Sequence, residues 1–328
     1  MLRTRTPKLS EIQRPVRDDV ERVVDELRRI VLSDFPVIGE VNDHLLWARG
    51  KLFRPTLLLI SHRVSGGTDP RAVTLAAIVE LVHLATLVHD DAVDHSVLRR
   101  GMPTVNALWN HQTAVIMGDY LYSRSISALA DVGRVDFISV LARAANEMSV
   151  GELRQLSSCD ALEFTEQDYD RLIASKTASL MSASCEIGAA LAGETYREAL
   201  ARFGHALGMA FQIVDDLLDY TESEAMVGKP TGQDLREHKV TLPLIAAMRE
   251  MPDGARRDVE RFFADPVPTD EGIERLTRLV RDNGGLEYAR TRADEFGRRA
   301  AEALLELPDG PATAALQAAV GYVVERRN

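Results

Sequence analysis

Two segments of this 328-residue chain repeat one arrangement of aspartates in apolar surroundings. They are Asp90-Asp91-Ala92-Val93-Asp94 and Asp215-Asp216-Leu217-Leu218-Asp219. If each segment is helical, its first and last aspartates lie one turn apart on the same face, where like charges repel. Bare carboxylates are also costly to bury among aliphatic side chains. A compensating Mg²⁺ fits best, because it commonly joins a few carboxylates to substrate phosphates. A solvated acidic face would explain one such segment more readily than a matched pair.

Hydrophobic residues recur at helical spacing along the whole chain, as residues 16–31 illustrate. No run alternates apolar and polar residues in the way that predicts a strand. Hydrophobic content of 45% is ample for a core, and aromatic content of 5% favours close-packed helices over a β-sandwich. We therefore predict an all-α fold in a single domain over residues 1–328, with residues 1–9 flexible.

Local start signals indicate where the main helices begin. An Asp-Pro pair opens the first helix, and Thr165 followed by Asp168 opens the second. We predict helices over residues 69–89, 165–193, 199–220 and 235–251.

The formal net charge of −11 argues against a general nucleic-acid-binding protein, which needs a dense basic face. Two cysteines, Cys159 and Cys185, cannot form a disulfide framework and fit a reducing compartment.

The most apolar long stretch, residues 73–93, is interrupted by His, Asp and Glu, which a membrane span would not carry unpaired. No apolar signal segment follows the N-terminal basic residues. We predict a cytoplasmic protein without a transmembrane segment.

Basic side chains suited to phosphate groups accompany the aspartates. In chain order they are Lys51, Arg54, Arg99, Arg100, Lys176, Lys229 and Lys239. Each alone is explained more simply as a surface cation or a helix cap, and His83 alone as a satisfied core histidine. Together they predict two polyanionic ligands, one held through metal and one held directly by basic residues.

These segments, in order over residues 50–239, resemble the trans-isoprenyl diphosphate synthase family, also called polyprenyl synthetases, and in particular its medium- and long-chain members. The resembling blocks are Gly50-Lys51-Leu52-Phe53-Arg54-Pro55, Glu80-Leu81-Val82-His83, His89-Asp90-Asp91-Ala92-Val93-Asp94, Arg99-Arg100-Gly101, Gly118-Asp119-Tyr120-Leu121, Gly151-Glu152-Leu153-Arg154-Gln155, Lys176-Thr177-Ala178 and Phe211-Gln212-Ile213-Val214-Asp215-Asp216-Leu217-Leu218-Asp219. The tail Tyr322-Val323-Val324-Glu325-Arg326 resembles family C-termini less specifically. The chain departs from the family pattern at Arg49 and Leu52, and at His238, where the family usually has glycine.

The resemblance implies an isoprenoid-synthase-type helical bundle around a central substrate cavity, assembled as a homodimer. It implies a Mg²⁺-dependent trans-prenyltransferase that joins isopentenyl diphosphate to an allylic prenyl diphosphate by head-to-tail (1′-4) condensation. Three Mg²⁺ ions would bind with the substrate, and the product would be an all-trans polyprenyl diphosphate longer than C20.

The resemblance also implies residue roles. The direct metal ligands would be Asp90, Asp94 and Asp215, with Asp91, Asp216 and Asp219 completing the shell partly through water. These six aspartates, with Lys176 and Lys229, form the implied catalytic set. The residues implied for the allylic diphosphate are Arg99, Lys176, Thr177, Gln212, Lys229 and Lys239. Those implied for isopentenyl diphosphate are Lys51, Arg54, His83 and Arg100.

Small residues just before the first aspartate segment bear on product length. Ala85 and Thr86 occupy positions where short-chain members of the family tend to carry an aromatic residue. Their small size implies an open tunnel and a longer product, although ordinary core packing would explain them too. If Glu152 faces the cavity, Met148 lies one helical turn away on the same face and is predicted to form the tunnel floor.

Several other activities use parts of the same pattern. A short-chain (C15 or C20) farnesyl or geranylgeranyl diphosphate synthase would differ only in a shallower tunnel. A class I terpene cyclase usually carries an Asn/Ser/Glu-type second metal site, and a non-catalytic synthase subunit loses the aspartates and lysines that this chain keeps. A di-iron bundle would need Glu-x-x-His pairs, of which residues 80–83 supply one near the site.

Overall fold

The computed structural model describes residues 6–48, 50–156, 161–221 and 232–326. Nearly all regular structure in these ranges is helical, which confirms the all-α prediction. The helices are α1 (Leu9–Ile12), α2 (Arg17–Ile30), α3 (Pro36–Trp47), α4 (Phe53–Val64), α5 (Arg71–Val93), α6 (Val105–Leu108), α7 (His111–Val132), α8 (Val135–Leu156), α9 (Glu166–Ile173), α10 (Ser179–Ala192), α11 (Arg197–Thr221), α12 (Gln233–Arg236), α13 (Leu242–Glu250), α14 (Asp253–Ala264), α15 (Asp270–Asp282), α16 (Gly285–Ala303) and α17 (Pro311–Val324). Short 3₁₀ segments occupy Arg14–Val16, Ala161–Glu163 and Leu304–Glu306, and Ala174–Ala178 form a π-helical turn.

The most heavily buried helices are α4, α5, α10 and α11, and glycines allow them to approach closely. Helix α11 packs along α10 and α16, α5 along α7, and α10 along α4. A Cβ added to Gly188 of α10 would lie 2.2 Å from the carbonyl oxygen of Leu58 on α4. One added to Gly208 of α11 would lie 2.5 Å from the Cα of Ala178. Only glycine permits these helix spacings, because both neighbours are backbone atoms.

We expect Gly188→Ala to destabilise the fold by about 1–3 kcal/mol, because the added methyl group must displace backbone in a packed core. The matched control is Gly39→Ala in α3, where an added Cβ meets nothing within 4 Å. That change should stabilise by about 0.5–1 kcal/mol, since alanine has the higher helix propensity. Urea unfolding measures both, and equal free energies of unfolding would contradict the packing role of Gly188.

Helix α5 carries the first aspartate segment at its C-terminal end. Its start is fixed by Asp69, whose Oδ1 accepts the backbone N–H of Arg71 at 2.9 Å, so the predicted helix is confirmed with a later first residue. Among the described helices, α5 is the one long and apolar enough to cross a membrane, but 72% of its most apolar window is buried inside the structure. A central position in the core explains this apolar character.

The predicted helix over residues 165–193 forms α9, the π turn and α10 without interruption. Thr165 and Asp168 make the expected capping box, with reciprocal backbone-to-side-chain bonds of 3.2 and 3.3 Å. The π turn was not predicted, because one wider turn leaves no mark on hydrophobic periodicity. Such turns are frequent at functional sites, and this one contains Lys176 and Thr177.

A short hairpin, also not predicted, follows α5. Strands β1 (Leu98–Arg99) and β2 (Met102–Pro103) pair antiparallel. The two loop residues, Arg100 at φ +52° and Gly101 at φ +75°, have the left-handed backbone of a type I′ turn. Two-residue strands are too short to show an alternating pattern.

The prediction of a single helix over residues 235–251 is wrong, because α12 ends and α13 begins only after a break. His238 adopts φ +52°, and its N–H bonds to the carbonyl of Leu235 at 3.1 Å. The N–H of Lys239 bonds to the carbonyl of Asp234 at 2.7 Å. These two bonds form a Schellman motif, which ends a helix with one left-handed residue, usually glycine.

His238 takes the glycine-like conformation with a side chain that has its own packing. Its ring lies 5.9 Å from that of Phe262 and 5.5 Å from that of Phe263, centroid to centroid. Aromatic packing of this kind stabilises by about 0.5–1.5 kcal/mol, which is comparable to the cost of a left-handed non-glycine residue. The departure at His238 therefore preserves the turn before Lys239.

Ordered structure begins inside the segment predicted to be flexible. The N–H of Lys8 bonds to Oε2 of Glu11 at 3.1 Å, and α1 begins at Leu9. Residues 1–5 lie outside the described ranges.

Candidate active site

The first aspartate segment occupies the C-terminal end of α5. Asp91 is 6% exposed, and both of its carboxylate oxygens accept the Nε–H of Arg99 at 2.8 Å. Within the described ranges, the side chains of Asp90 and Asp94 form no hydrogen bond or ion pair. One carboxylate is thus neutralised by the protein, and the two that share a helix face are left for an external cation.

The surroundings of Asp90 favour such a cation. Burial raises the pKa of Asp90 to about 6; Lys176 and Arg99 oppose the shift, while Glu152 and Asp94 add to it. Loss of solvent destabilises the ionised carboxylate more than these two basic side chains stabilise it. A bound metal would supply further positive charge.

In the second segment, on α11, two aspartates are held by protein donors. Asp216 is 6% exposed; Tyr169 donates its hydroxyl to Oδ2 at 2.6 Å, and Gln212 donates its amide to Oδ1 at 2.8 Å. Burial raises the pKa of Asp216 to about 7, although these two hydrogen bonds lower it. Asp219 accepts the backbone N–H groups of residues 233 and 234 at 3.0 Å each, and so caps α12.

Asp215, the remaining aspartate of this segment, faces a residue near the end of the described chain. Its Oδ1 accepts Nη1–H of Arg326 at 2.8 Å, and that guanidinium also lies 5.3 Å from the ring centroid of Phe211. Asp215 stays 45% exposed. Desolvation raises the pKa of Asp215, while Arg326, Arg100 and Lys51 lower it. This carboxylate is therefore surrounded by basic residues but is still accessible to a metal.

The π turn brings a lysine to the first segment. Lys176 donates from Nζ to Oε1 of Gln155 at 3.0 Å and forms an ion pair with Glu152. A Cβ on Gly151 would lie 3.3 Å from Cγ of Lys176, so this glycine leaves room for the lysine stem. Gln155 and this contact of Glu152 were not predicted, although both residues lie in one of the resembling blocks.

A second basic group lies between α4 and α5. Burial lowers the pKa of Arg54, and Arg100 acts in the same direction, whereas Glu80 opposes it. Burial, Arg54 and Arg100 hold the pKa of His83 well below its usual value, so the imidazole is neutral at pH 7. Glu80 is 3% exposed and interacts with these arginines. Glu80 and His83 therefore interact with arginines, which explains the Glu-x-x-His pattern of residues 80–83 without a di-iron site.

Arg100 lies directly over the backbone of Gly50. A Cβ on Gly50 would be 2.6 Å from Nη1 of Arg100 and 3.2 Å from its Cζ. Lys51 follows, with Nζ 3.5 Å from the hydroxyl of Tyr322. Four residues predicted to bind isopentenyl diphosphate thus cluster around this part of the site.

Gly50→Ala should displace the Arg100 guanidinium. On the role that the resemblance implies for Arg100, this change should raise the KM for isopentenyl diphosphate about tenfold, because a small misplacement of a positioning group is costly. Stability should change little, because the group that moves is the end of a flexible side chain. Steady-state kinetics with each substrate varied in turn measures the effect, with Gly39→Ala as the control. An unchanged KM would remove Arg100 from this site.

Asp234, which was not predicted as a site residue, adds a fourth carboxylate beside the three of the second segment. Burial raises the pKa of Asp234 well above its usual value, and Asp216 and Asp219 act in the same direction. Its position in the turn just before Lys239 is the sequence feature that could have indicated it. The Lys239 Nζ lies 2.6 Å from Oε2 of Glu237. Lys229, predicted for the same substrate, lies outside the described residues.

Comparisons with known proteins identify the family of this chain. The sequence model of the polyprenyl synthetase family matches residues 35–279, which is most of the chain. The chain belongs to the polyprenyl synthetase family. It is therefore a trans-prenyltransferase, and the resemblance inferred from the sequence is confirmed.

Similar proteins cover nearly the whole of this polyprenyl synthetase. An all-trans-nonaprenyl-diphosphate synthase (geranyl-diphosphate specific) from Rhodobacter capsulatus is 40% identical over 301 residues, 91% of this chain and 92% of that protein. An octaprenyl diphosphate synthase from Escherichia coli is 35% identical over 328 residues, covering 97% and 99%. The crystal structure of a polyprenyl synthase from Caulobacter crescentus, complexed with calcium and isoprenyl diphosphate, has a TM-score of 0.94 at 31% identity, covering 99% and 100%. The isoprenoid-synthase fold is thereby confirmed.

The donor set of this synthetase fits a hard divalent cation. Among the described residues, no three His, Cys, Asp or Glu side chains converge into a preformed metal site. The open carboxylates of Asp90 and Asp94 are nevertheless oxygen ligands on one helix face, and Mg²⁺ typically takes one or two carboxylates with waters and substrate phosphates. The geometry therefore suits a metal that arrives with a diphosphate.

The residues predicted to set product length lie next to this site. Ala85 is 2% exposed, and Thr86 is half-buried with Oγ1 donating to the carbonyl of His83 at 2.8 Å. Met148 is 7% exposed on α8, one turn before Glu152, which contacts the active-site lysine. Their roles in chain length stay predictions.

Proposed function

We propose that this polyprenyl synthetase joins isopentenyl diphosphate to an allylic prenyl diphosphate by 1′-4 condensation and releases an all-trans polyprenyl diphosphate longer than C20. The observation that carries the proposal is the presence of two groups of side chains that suit two diphosphates. One, suited to a metal-bound diphosphate, combines the open carboxylates Asp90 and Asp94 with Lys176; the other, suited to direct contact, is the basic group around Arg54 and Arg100. The names of the nonaprenyl and octaprenyl relatives support a product beyond C20.

Each of these two groups is assigned to one substrate. Asp90, Asp94 and Asp215 would hold three Mg²⁺ ions that accompany the allylic diphosphate. The same diphosphate is held by Arg99, Lys176, Thr177, Gln212, Lys229 and Lys239. Isopentenyl diphosphate is held by Lys51, Arg54, His83 and Arg100. Residues 1–328 act as one domain in this proposal.

The reaction begins when the allylic C–O bond breaks and its electron pair leaves with pyrophosphate. Bound Mg²⁺ would supply Lewis-acid stabilisation of that leaving group. Lys176 and Lys239 donate hydrogen bonds to the same developing charge. The isopentenyl double bond then attacks the allylic carbon, forming the 1′-4 bond. The resulting cation loses a proton to pyrophosphate, so no protein base is assigned.

The second substrate is oriented by a histidine and two arginines. His83, neutral because of its burial and its arginine neighbours, donates one N–H hydrogen bond to the diphosphate. Arg54 and Arg100 present planar forks to the diphosphate. The double bond can then approach the allylic carbon from a fixed direction, in a site from which water is excluded.

The test is an incubation of the purified protein with Mg²⁺, labelled isopentenyl diphosphate and, separately, geranyl, farnesyl and geranylgeranyl diphosphates. Products are dephosphorylated and sized by reversed-phase chromatography. A ladder that ends beyond C20 is expected. A stop at C15 or C20 would identify a short-chain synthase, and no product from any primer would contradict the proposed reaction.

The proposal includes a homodimer in the cytoplasm, as the family resemblance implies. Exposed apolar side chains on α7 and α8, such as Ile116 and Leu153, are 64% and 62% exposed in the single chain. They offer a surface for the second copy. Light scattering at working concentration should give twice the chain mass of 36.3 kDa, and a monomer would contradict the assembly.

A further inference from the structure

A chain of hydrogen bonds joins the π turn to the second aspartate segment. Thr177 donates from Oγ1 to Oε1 of Gln212 at 2.8 Å, and Gln212 donates from Nε2 to Oδ1 of Asp216 at 2.8 Å. Tyr169 closes the chain by donating its hydroxyl to Oδ2 of Asp216 at 2.6 Å. Both oxygens of Asp216 are therefore occupied by protein donors.

We propose that Tyr169 is a positioning residue that acts through Asp216 to hold the second aspartate segment in the arrangement that binds a metal-bound diphosphate. The inference rests on the proposed function, because it concerns the same site. Tyr169 lies on α9 and is 1% exposed. It is too deeply buried to reach a substrate directly, so any effect on binding passes through Asp216.

The physical reason lies in what Asp216 would do without the hydroxyl. A buried acceptor left without a donor is destabilised by about 1–3 kcal/mol, more if it is charged. The carboxylate would be free to rotate towards another cation, such as a metal held by the adjacent Asp215. Rotation would also release the Gln212 amide, whose orientation is fixed by bonds on both sides. The ligand set and the diphosphate contacts would then change together.

The ring and the hydroxyl of Tyr169 can be tested separately. Tyr169→Phe keeps the buried ring and removes the bond to Asp216. A matched control is Tyr288→Phe, because Tyr288 also donates to a carboxylate on α9, at 2.9 and 3.0 Å from the two oxygens of Glu166. That pair belongs to a surface ion network with Arg249 and Arg292, away from the aspartates.

The experiment measures binding of inorganic pyrophosphate by titration calorimetry at a series of Mg²⁺ concentrations, which requires no turnover. Tyr169→Phe should weaken this binding about 10- to 100-fold, as is typical when a partner that orients a metal ligand is lost. Tyr288→Phe should bind like the wild type. Isopentenyl diphosphate binding without Mg²⁺ should be unchanged in both variants.

A double-mutant cycle identifies the route of the effect. In an Asp216→Asn background, Tyr169→Phe should have no further effect, because the hydroxyl acts through that carboxylate. Wild-type affinity in Tyr169→Phe, an additive loss in the double variant, or a Tyr169→Phe protein that does not fold would each overturn the proposal. Wild-type protein that binds no pyrophosphate with Mg²⁺ would instead contradict the proposed function.

Discussion

Asp90→Asn should lower the turnover number about a hundred- to a thousandfold at saturating substrates, which is the usual loss when one stabiliser of transition-state charge is removed. Asp90 is the open carboxylate with a pKa raised to about 6, so it gains most from a bound cation. The amide keeps the shape of the side chain but cannot neutralise a metal. Asp215→Asn should behave similarly, since Asp215 also remains accessible.

The rate is measured by single-turnover incorporation of labelled isopentenyl diphosphate, with Mg²⁺ raised until the rate is constant. Asp131→Asn, an exposed aspartate at the end of α7, is the control and should retain wild-type turnover. Turnover of Asp90→Asn that matches the wild type at every Mg²⁺ concentration, limiting as well as saturating, would exclude Asp90 as a direct ligand. A loss seen at limiting Mg²⁺ and fully restored by added Mg²⁺ would assign the role of Asp90 to metal affinity alone.

Thr86→Phe should shorten the main product to C20 or less, while the first condensation proceeds within a few-fold of the wild-type rate. Thr86 lies one turn before Asp90 on the same helix face, and it is half-buried. Its hydroxyl is used within its own helix, on the carbonyl of His83, so its loss breaks no contact between helices. A phenyl ring there would fill the space into which a growing chain must extend.

The control is Thr86→Val, which has nearly the same volume and also lacks the hydroxyl. Its product ladder should match that of the wild type. Chromatography of dephosphorylated products with each allylic primer gives the comparison. If Thr86→Phe and Thr86→Val give the same ladder, Thr86 does not line the path of the product, and Ala85 or Met148 would be tested next.

Much of the site could be predicted from residues close together in sequence. The same-face pair Asp90 and Asp94 follows from helical spacing, and the structure leaves these two open. The capping box at Thr165 likewise follows from a pattern spanning four residues. Such features depend on the geometry of a single helix, which is determined by the spacing of residues along the chain.

Contacts between distant segments could not be predicted in this way. Arg326 bonds to Asp215 across 111 positions, and Tyr169 bonds to Asp216 across 47. Many other pairs of residues have similar separations in the sequence, so the separation alone does not predict either contact. The break between α12 and α13 was missed for a different reason, because His238 adopts a conformation that residue type alone assigns to glycine.

The π turn at Ala174–Ala178 sets the rotational register of the helix that contains it. Tyr169 and Thr177 are eight positions apart, which in a regular α-helix leaves their side chains about 80° apart around the axis. A π turn absorbs roughly one residue, so the pair behaves like positions of a heptad, offset by about 20°. Both therefore face α11, where Asp216 and Gln212 receive their hydrogen bonds. If the same eight positions formed a regular α-helix, with Thr177 still facing α11, Tyr169 would turn about 80° away from Asp216. Deleting one residue from the turn would instead restore a regular α-helix in which the flanking segments keep nearly the same offset. The wider turn thus gives the helix one additional residue around Lys176 while Tyr169 and Thr177 both face α11.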